Sequence, residues 1–173
     1  RSVTFNDIRT ASPSQAIDEN ITDEKGYSSD LGVRGRIGNK LSFDISGFAL
    51  YYNDKIGEYE APNPNGAAAV VRFRDNVGTA LTYGVETMLD WNLASTFLVN
   101  TEDYVWNVFA NISLTESEYL KSDVPNVEGN KVEFVPFVNF KSGMGFGYKN
   151  FLSQLQFTYL SSQFTEAKNL PTD

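Results

Sequence analysis

Alternation of apolar and polar residues with a period of two is the feature that most restricts the fold of this chain. It occurs in six stretches, at about residues 28–37, 41–54, 71–91, 103–116, 138–148 and 151–163. A period of two places successive side chains on opposite faces of a β-strand, whereas an amphipathic helix needs a period near 3.6 residues. The sequence therefore predicts an all-β protein of about six strands with very little helix.

The connections between the predicted strands alternate between short and long. Gly38-Asn39 and Lys149-Asn150 supply tight turns, and a turn region of moderate length follows residue 91. Long polar segments precede residue 28, surround the Pro/Asn/Gly-rich stretch 61–66, and precede residue 138. This rhythm is typical of an antiparallel up-and-down transmembrane β-barrel with short periplasmic turns and long outer loops. Greek-key links in a soluble sandwich would disturb it.

Aromatic residues occupy two levels of the predicted apolar face. One group flanks the short turns: Trp91, Tyr104, Trp106, Tyr148 and Phe151. A second group lies eight to ten residues further along the strands: Tyr51, Tyr83, Phe140 and Tyr159. At ~3.3 Å per residue and a strand tilt near 45°, this separation corresponds to roughly 20–25 Å, close to the apolar band of an outer-membrane barrel. The pattern favours a membrane barrel, with a soluble β-sandwich as the alternative.

Six strands are too few to close a membrane barrel, since the smallest bacterial examples have about eight. An open edge in lipid would leave backbone groups without partners. We therefore expect residues 1–173 to form part of one barrel domain whose remaining strands come from a longer chain. No apolar run approaches the ~20 residues of a transmembrane helix, and the first residues lack a signal-peptide pattern.

The composition removes several classes of chemistry. The chain has no Cys and no His, so disulfides, thiolate nucleophiles, Ser-His-Asp triads and His-based zinc sites are excluded within it. A net charge of −8 disfavours nucleic-acid binding. Carboxylates remain, so composition alone does not exclude a two-carboxylate hydrolase. We nevertheless expect no enzymatic activity, no catalytic residues, no metal site and no resident cofactor.

Five segments resemble phrases of the TonB-dependent receptor family, especially its ferric-citrate-receptor-like branch. Residues 76–86, NVGTALTYGVE, are similar to the family's N-x-G-x-x-x-x-Y-G-[VL]-E strand. Residues 25–35, KGYSSDLGVRG, are similar to K-x-Y-x-x-E-L-G-x-R, with Asp30 in place of Glu. The other three are FNDI at 5–8, GNKVEFVP at 129–136, where Glu133 replaces a proline, and YLSSQFT at 159–165.

The resemblance implies a 22-stranded barrel with an N-terminal plug in the outer membrane of a Gram-negative bacterium. It implies TonB-driven import of an iron chelate, such as a siderophore or ferric citrate, or of a similar nutrient. The residues would lie in the C-terminal part of the barrel, without the plug, the TonB-contacting segment or the final strands. The implied partners are TonB through the N-terminal region, the transported chelate, outer-membrane lipid and lipopolysaccharide. A porin-like channel and a soluble β-sandwich binding module are the alternatives.

Ligand capture is expected at the long loops and the upper lumen, where Arg72 and Arg74 precede the third long strand. Two guanidiniums on alternate residues share a face and suit bidentate binding of an anionic chelate. Pairing with Asp75 and Glu58, or anchoring of lipopolysaccharide phosphates, is the alternative.

The predicted polar face of the strands would line the lumen. Its candidate residues are Arg34, Arg36, Glu86, Asn107, Asn111 and Lys141. Their structural interpretation is that they satisfy one another and water, while Gly and Ala within residues 78–84 leave room for a plug. An acidic loop cluster, formed by Asp18, Glu19, Asp23 and Glu24, suits Ca²⁺ in composition but is predicted to be solvated surface charge.

Overall fold

The computed structural model describes residues 2, 4, 8, 9, 12, 14–63, 70–99 and 101–170. It contains one short helix and seven strands: β1 Gln15–Ile17, β2 Lys25–Ile37, β3 Leu41–Pro62, β4 Val70–Asn92, α1 Leu93–Phe97, β5 Tyr104–Ser122, β6 Val138–Tyr148 and β7 Phe151–Leu160. Strands β2 to β7 form an antiparallel meander in sequence order, and β1 pairs in parallel with β4. The predicted all-β, up-and-down part of a barrel is confirmed. Within the described residues the sheet is open, with β2 and β7 at its edges.

The short turns form where the sequence predicts them. Ile37 pairs with Leu41, and Gly38 between them adopts a φ of +58°, which glycine tolerates without a steric penalty. Tyr148 pairs with Phe151, and Lys149 adopts the left-handed conformation at φ +52°. The moderate connection after β4 contains α1, which the alternation does not predict.

We call the part of the sheet between the two aromatic levels the membrane band. Strands β3, β4 and β5 extend beyond it. β3 and β4 stay paired as far as Pro62 and Val70, and β5 continues to Ser122. The pairing of β3 with β4 shifts between Tyr52 and Ile56. A β-bulge interrupts the alternation that identifies a strand in the sequence, so the prediction ends β3 at about residue 54.

The ladder places apolar residues next to apolar residues across the sheet. One row, for example, contains Val33, Ile45, Thr87, Ile112, Phe140 and Tyr159. We call this side the apolar face. Many of its large side chains are exposed, and every residue of β7 is exposed. The opposite side, the polar face, carries residues such as Asp44, Glu86 and Lys141.

The two aromatic levels follow the stagger of the strands. Eight residues separate Tyr83 from Trp91 on β4, and Phe140 from Tyr148 on β6. In the ladder Tyr83 lies beside Ala49, whereas Phe140 lies in the row of Ile45, four residues closer to the short-turn end. The aromatic level at the short-turn end, which we call the lower level, shifts by the same four residues. On β5, Trp91 pairs with Val108, whereas Tyr148 pairs with Tyr104. A constant shift of this kind is what tilted barrel strands produce.

A small buried core lies at the end of the sheet opposite the short turns, which we call the long-loop end. This loop core consists of Val77, Ala80, Tyr119, Val124, Val127, Val132 and Ala167, with Tyr59 and Val135 packed against it. Unbroken alternation along residues 71–91 predicts Val77 on the apolar face with Leu81 and Tyr83, and this prediction is wrong, because Val77 is only 1% exposed within the loop core. The bulged pairing around Gly78, whose φ is +152°, reverses the facing of residues beyond it.

Candidate functional site

The six polar residues predicted to line the lumen all lie on the polar face. Arg34 pairs with Asp44, Arg36 with Ser42, Glu86 with Ser113, Asn107 with Gly145, and Asn111 with Lys141. Because cross-strand partners project from the same side of a sheet, the alternation alone is sufficient to place them together. Their orientation toward the lumen of a complete barrel stays a prediction.

Three of these residues line one concave surface. Glu86, Asn111 and Lys141 contribute to it, together with Asp44, Ser46, Ser113 and Asn139. The Ser113 hydroxyl lies 3.5 Å from the Glu86 carboxylate, at the limit of a hydrogen bond. Among the described residues, the Oδ1 atom of Asn111 beside this surface is buried and has no hydrogen-bond partner.

Glycines on β6 create the space that neighbouring polar-face side chains occupy. A Cβ at Gly143 would collide with the ring of Phe109, and one at Gly145 would collide with the Asn107 amide. These two glycines therefore make room for the Phe109 ring and the Asn107 amide. That Gly and Ala on β4 leave room for a plug stays a prediction.

Arg72 and Arg74 both approach Glu58 on β3. The Arg74 guanidinium forms an ion pair with the Glu58 carboxylate, and the Arg72 Nε lies 3.7 Å from Glu58 Oε2. These contacts agree with the alternative interpretation, in which the two arginines pair with Glu58. Alternation along β4 places both arginines on the opposite side from Phe73, whose ring packs 5.7 Å from that of Tyr59. Their role in ligand capture stays a prediction.

The acidic residues near the N-terminal end do not form a metal site in the described part of the chain, where no group of three or more Asp or Glu is arranged to hold an ion. Asp18 accepts a hydrogen bond from the Asn20 backbone N–H at 2.6 Å, which fits a surface turn. Glu24 does not fit the prediction of solvated charge. Its side chain is buried and accepts a hydrogen bond from the Ile56 N–H at 2.8 Å.

Buried carboxylates fasten the loops at the long-loop end. Glu133 accepts a hydrogen bond from the Tyr119 hydroxyl at 2.8 Å, and Lys55 Nζ lies 3.9 Å from it. Glu166 accepts hydrogen bonds from the backbone N–H groups of Glu60 and Leu170, at 3.2 and 2.9 Å. No local sequence pattern predicts this role, although Glu133 stands where the family phrase has proline.

Burial of the loop core alters the acidity of its polar groups. Desolvation, with the nearby Asp75 carboxylate, raises the pKa of Tyr59 to about 12. Desolvation also raises the pKa of Asp75, which accepts a hydrogen bond from the Tyr59 hydroxyl at 3.3 Å. The pKa of Tyr119 is raised by burial and by the adjacent Glu133. The raised pKa values keep Tyr59 and Tyr119 neutral, so their hydroxyls remain hydrogen-bond donors to Asp75 and Glu133.

None of the helices in the described ranges is long and apolar enough to cross a membrane. No individual curated protein matches the chain at a significant level. A sequence model of the family described as TonB dependent receptor-like, beta-barrel matches residues 2–172. That family consists of outer-membrane receptors of Gram-negative bacteria that transport their ligands inward. The alternating strands, the apolar face and the extent of the match together show that this chain belongs to the TonB-dependent receptor family, as part of its β-barrel.

Proposed function

We propose that this sheet is part of an outer-membrane receptor that captures an iron chelate, a siderophore or ferric citrate, and imports it with energy from TonB. The proposal includes no catalytic reaction and no resident cofactor, since the chelate is the cargo. The observation that carries it is the folded loop structure over the polar face at the long-loop end. Such a structure suits capture of a small ligand at the mouth of the barrel.

The position of the loops follows from the pairing of β4 with β5. Tyr119 pairs with Ala80, and Ala80 shares its face with Thr82 and Glu86. The loop core built on Tyr119 and Ala80 therefore covers the same side of the sheet as the polar face. In a closed barrel this is the side of the lumen.

The loops at this end are joined to one another as well as to the strands. The Phe134 N–H donates to the Phe164 carbonyl at 2.9 Å, and the Ala167 N–H donates to the Glu58 carbonyl at 2.8 Å. Lys131 and Asn169 exchange two hydrogen bonds, at 2.8 and 2.9 Å. These links hold residues 123–137 and 161–170 in one arrangement, so binding a ligand there would not require them to be ordered first.

The ferric-citrate-like branch and a C-terminal position in the barrel belong to the same proposal. They rest on the phrase at 129–136, within the joined loops, and on the phrase at 159–165, which runs from the end of β7 into them. An anionic chelate needs a cationic contact, and Arg72 keeps 47% of its side chain exposed beside Glu58. We therefore propose Arg72 and Arg74 as the cationic contact for the chelate, on the outer part of the loops.

Uptake of radioactive iron by iron-starved cells tests the proposal. Cells that express the full-length receptor should accumulate iron from at least one chelate, and cells that lack TonB should not. A receptor without residues 123–135 should lose uptake while it still migrates as a folded barrel. Uptake that continues without TonB would instead support the porin-like alternative. Unchanged uptake from every chelate after deletion of the receptor would refute iron transport.

A further inference from the structure

The connection between β4 and β5, predicted as a turn region of moderate length, exposes an aromatic ring. Phe97, the last residue of α1, is 60% exposed, and Val99 is fully exposed. Leu93 and Ala94 at the start of the helix are buried. A single exposed phenyl ring is common on protein surfaces, so the rings beside Phe97 decide what its surroundings are.

Phe97 is continuous with the apolar face. Its ring centroid lies 6.0 Å from that of Trp91 and 6.3 Å from that of Trp106. Both tryptophans belong to the lower aromatic level, and Trp106 shares its face with Tyr104, whose ring lies 4.8 Å from that of Tyr148. The helix therefore adds a ring to an aromatic belt that the strands alone would leave interrupted between Trp91 and Trp106.

Hydrogen bonds fix which side of α1 faces the apolar surface. Asn92 caps the helix by accepting from the Ser95 N–H at 2.9 Å, and the Trp91 indole N–H donates to the Thr96 hydroxyl at 3.0 Å. The Asn39 amide in the neighbouring turn donates to the Ser95 hydroxyl at 3.2 Å. The polar side of the helix is thus engaged with the turns, and Phe97 is held beside the tryptophans.

We propose that the segment from Leu93 to Val99 is an interfacial membrane anchor. It lies among the phospholipid headgroups of the leaflet at the short-turn end, with Phe97 and Val99 against lipid. The occupant is phospholipid, because the apolar face with which Phe97 is continuous is the lipid-contacting surface of the barrel. Aromatic rings favour this boundary, where an apolar body and polar neighbours are both satisfied. The inference requires a membrane barrel but does not depend on the transported ligand.

Spin labels on single cysteines test this position. The segment contains no natural cysteine, so labels are placed by F97C, L89C and E102C in the full-length receptor, with any cysteines elsewhere changed to serine. The receptor is reconstituted in phosphatidylethanolamine–phosphatidylglycerol vesicles. We expect the label at 97 to collide with dissolved oxygen more than with a water-soluble nickel complex, as the label at 89 does. The ratio of the two collision rates should be several-fold higher at 97 than at 102.

Two outcomes would overturn the proposal. The first is a label at 97 that is as accessible to the nickel complex as the label at 102, which would place α1 in water. The second is protection of the label at 97 from both reagents, which would show that a second copy or another protein covers it. The same measurement in micelles of a shorter-chain detergent should rank the collision-rate ratios of the three positions in the same order. The strands fix the position of each label relative to the apolar face.

Discussion

The membrane band and the long-loop end of this sheet use apolar residues in opposite ways. In the band, large side chains such as Leu31, Leu155 and Phe157 are 58–85% exposed, and the strands are one layer thick. At the long-loop end, Tyr119 and Val127 are completely buried beneath loops. The band therefore lacks a water-excluding core, whereas the long-loop end has one.

The difference shows which solvent each region requires. The band reaches a low free energy only when lipid covers its apolar face and neighbouring strands pair its edges. The long-loop end excludes water by itself, as a small soluble domain does, and it satisfies buried carboxylates with hydrogen bonds. Substitutions should therefore affect the two regions separately.

Removal of the Tyr119 side chain should produce the largest effect and break the loop core alone. Y119A leaves a cavity and removes the hydroxyl that donates to the Glu133 carboxylate, and loss of a buried aromatic side chain costs about 3–5 kcal/mol. We expect hydrogen exchange of residues 123–135 to accelerate strongly in the full-length receptor. Tyr83, which is 48% exposed on the apolar face, provides the matched control Y83A. Acceleration in both variants, or in neither, would contradict the separation of the regions.

A charge in the middle of the band should have the next largest effect. Ile112 lies in the row of Thr87, midway between Tyr83 and Trp91. I112R places a cation in the apolar centre of the bilayer, which costs about 2–4 kcal/mol in a membrane barrel. The midpoint of urea unfolding in vesicles, read from gel mobility, should fall. S113R, one residue away on the polar face, is the control, and an equal fall there would argue against a lipid-facing Ile112.

Alkaline pH should loosen the loop core before it affects the band. The pKa of Tyr59 is raised to about 12 from an unfolded value of 10.0. The folded loop therefore holds the phenol proton more tightly, and this contribution to stability is complete below pH 10 and is lost as pH rises toward 12. A difference titration of tyrosinate absorbance between the natural protein and Y59F should show this late transition. A transition at pH 10 would mean that Tyr59 does not pack against the loop core.

The smallest effect is expected at Arg72. Its side chain is half exposed and its Nε lies 3.7 Å from Glu58, so R72A should change the free energy of unfolding by ~0–1 kcal/mol. R74A removes the more buried partner of Glu58 and should cost more. Titration with ferric citrate separates stability from binding. Weaker binding in R72A with unchanged unfolding supports the ligand role, whereas identical binding removes it.

The sequence predicts the strands correctly in the membrane band, and the prediction becomes less accurate toward the long-loop end. Residues 138–148 form β6 with the predicted bounds. One face of this strand meets lipid and the other does not, so apolar and polar residues alternate along its sequence. Beyond Asp54 the strands continue through bulges, and loops cover one side, so apolar and polar residues no longer alternate. The sequence does not predict the helix α1, because five residues are too few to show a helical period.

The same contrast explains the fate of the individual predictions. Arg34, Glu86 and Asn111 share a face because the register of the strands follows directly from their pattern. The burial of Glu24 and Glu133 depends on contacts between residues far apart in the chain, which no local pattern contains.

The sequence by itself determined the strands, their two faces, the short turns and the family. These properties are local, since each depends on side chains a few residues apart and on the difference between lipid and water. Only the tertiary structure decided that the loops fold into a core over the polar face, that Arg72 and Arg74 meet Glu58, and that Phe97 completes the aromatic belt. The physical reason is that each of these depends on the three-dimensional approach of separate strands and loops, in which bulges and buried hydrogen bonds override the simple period of two.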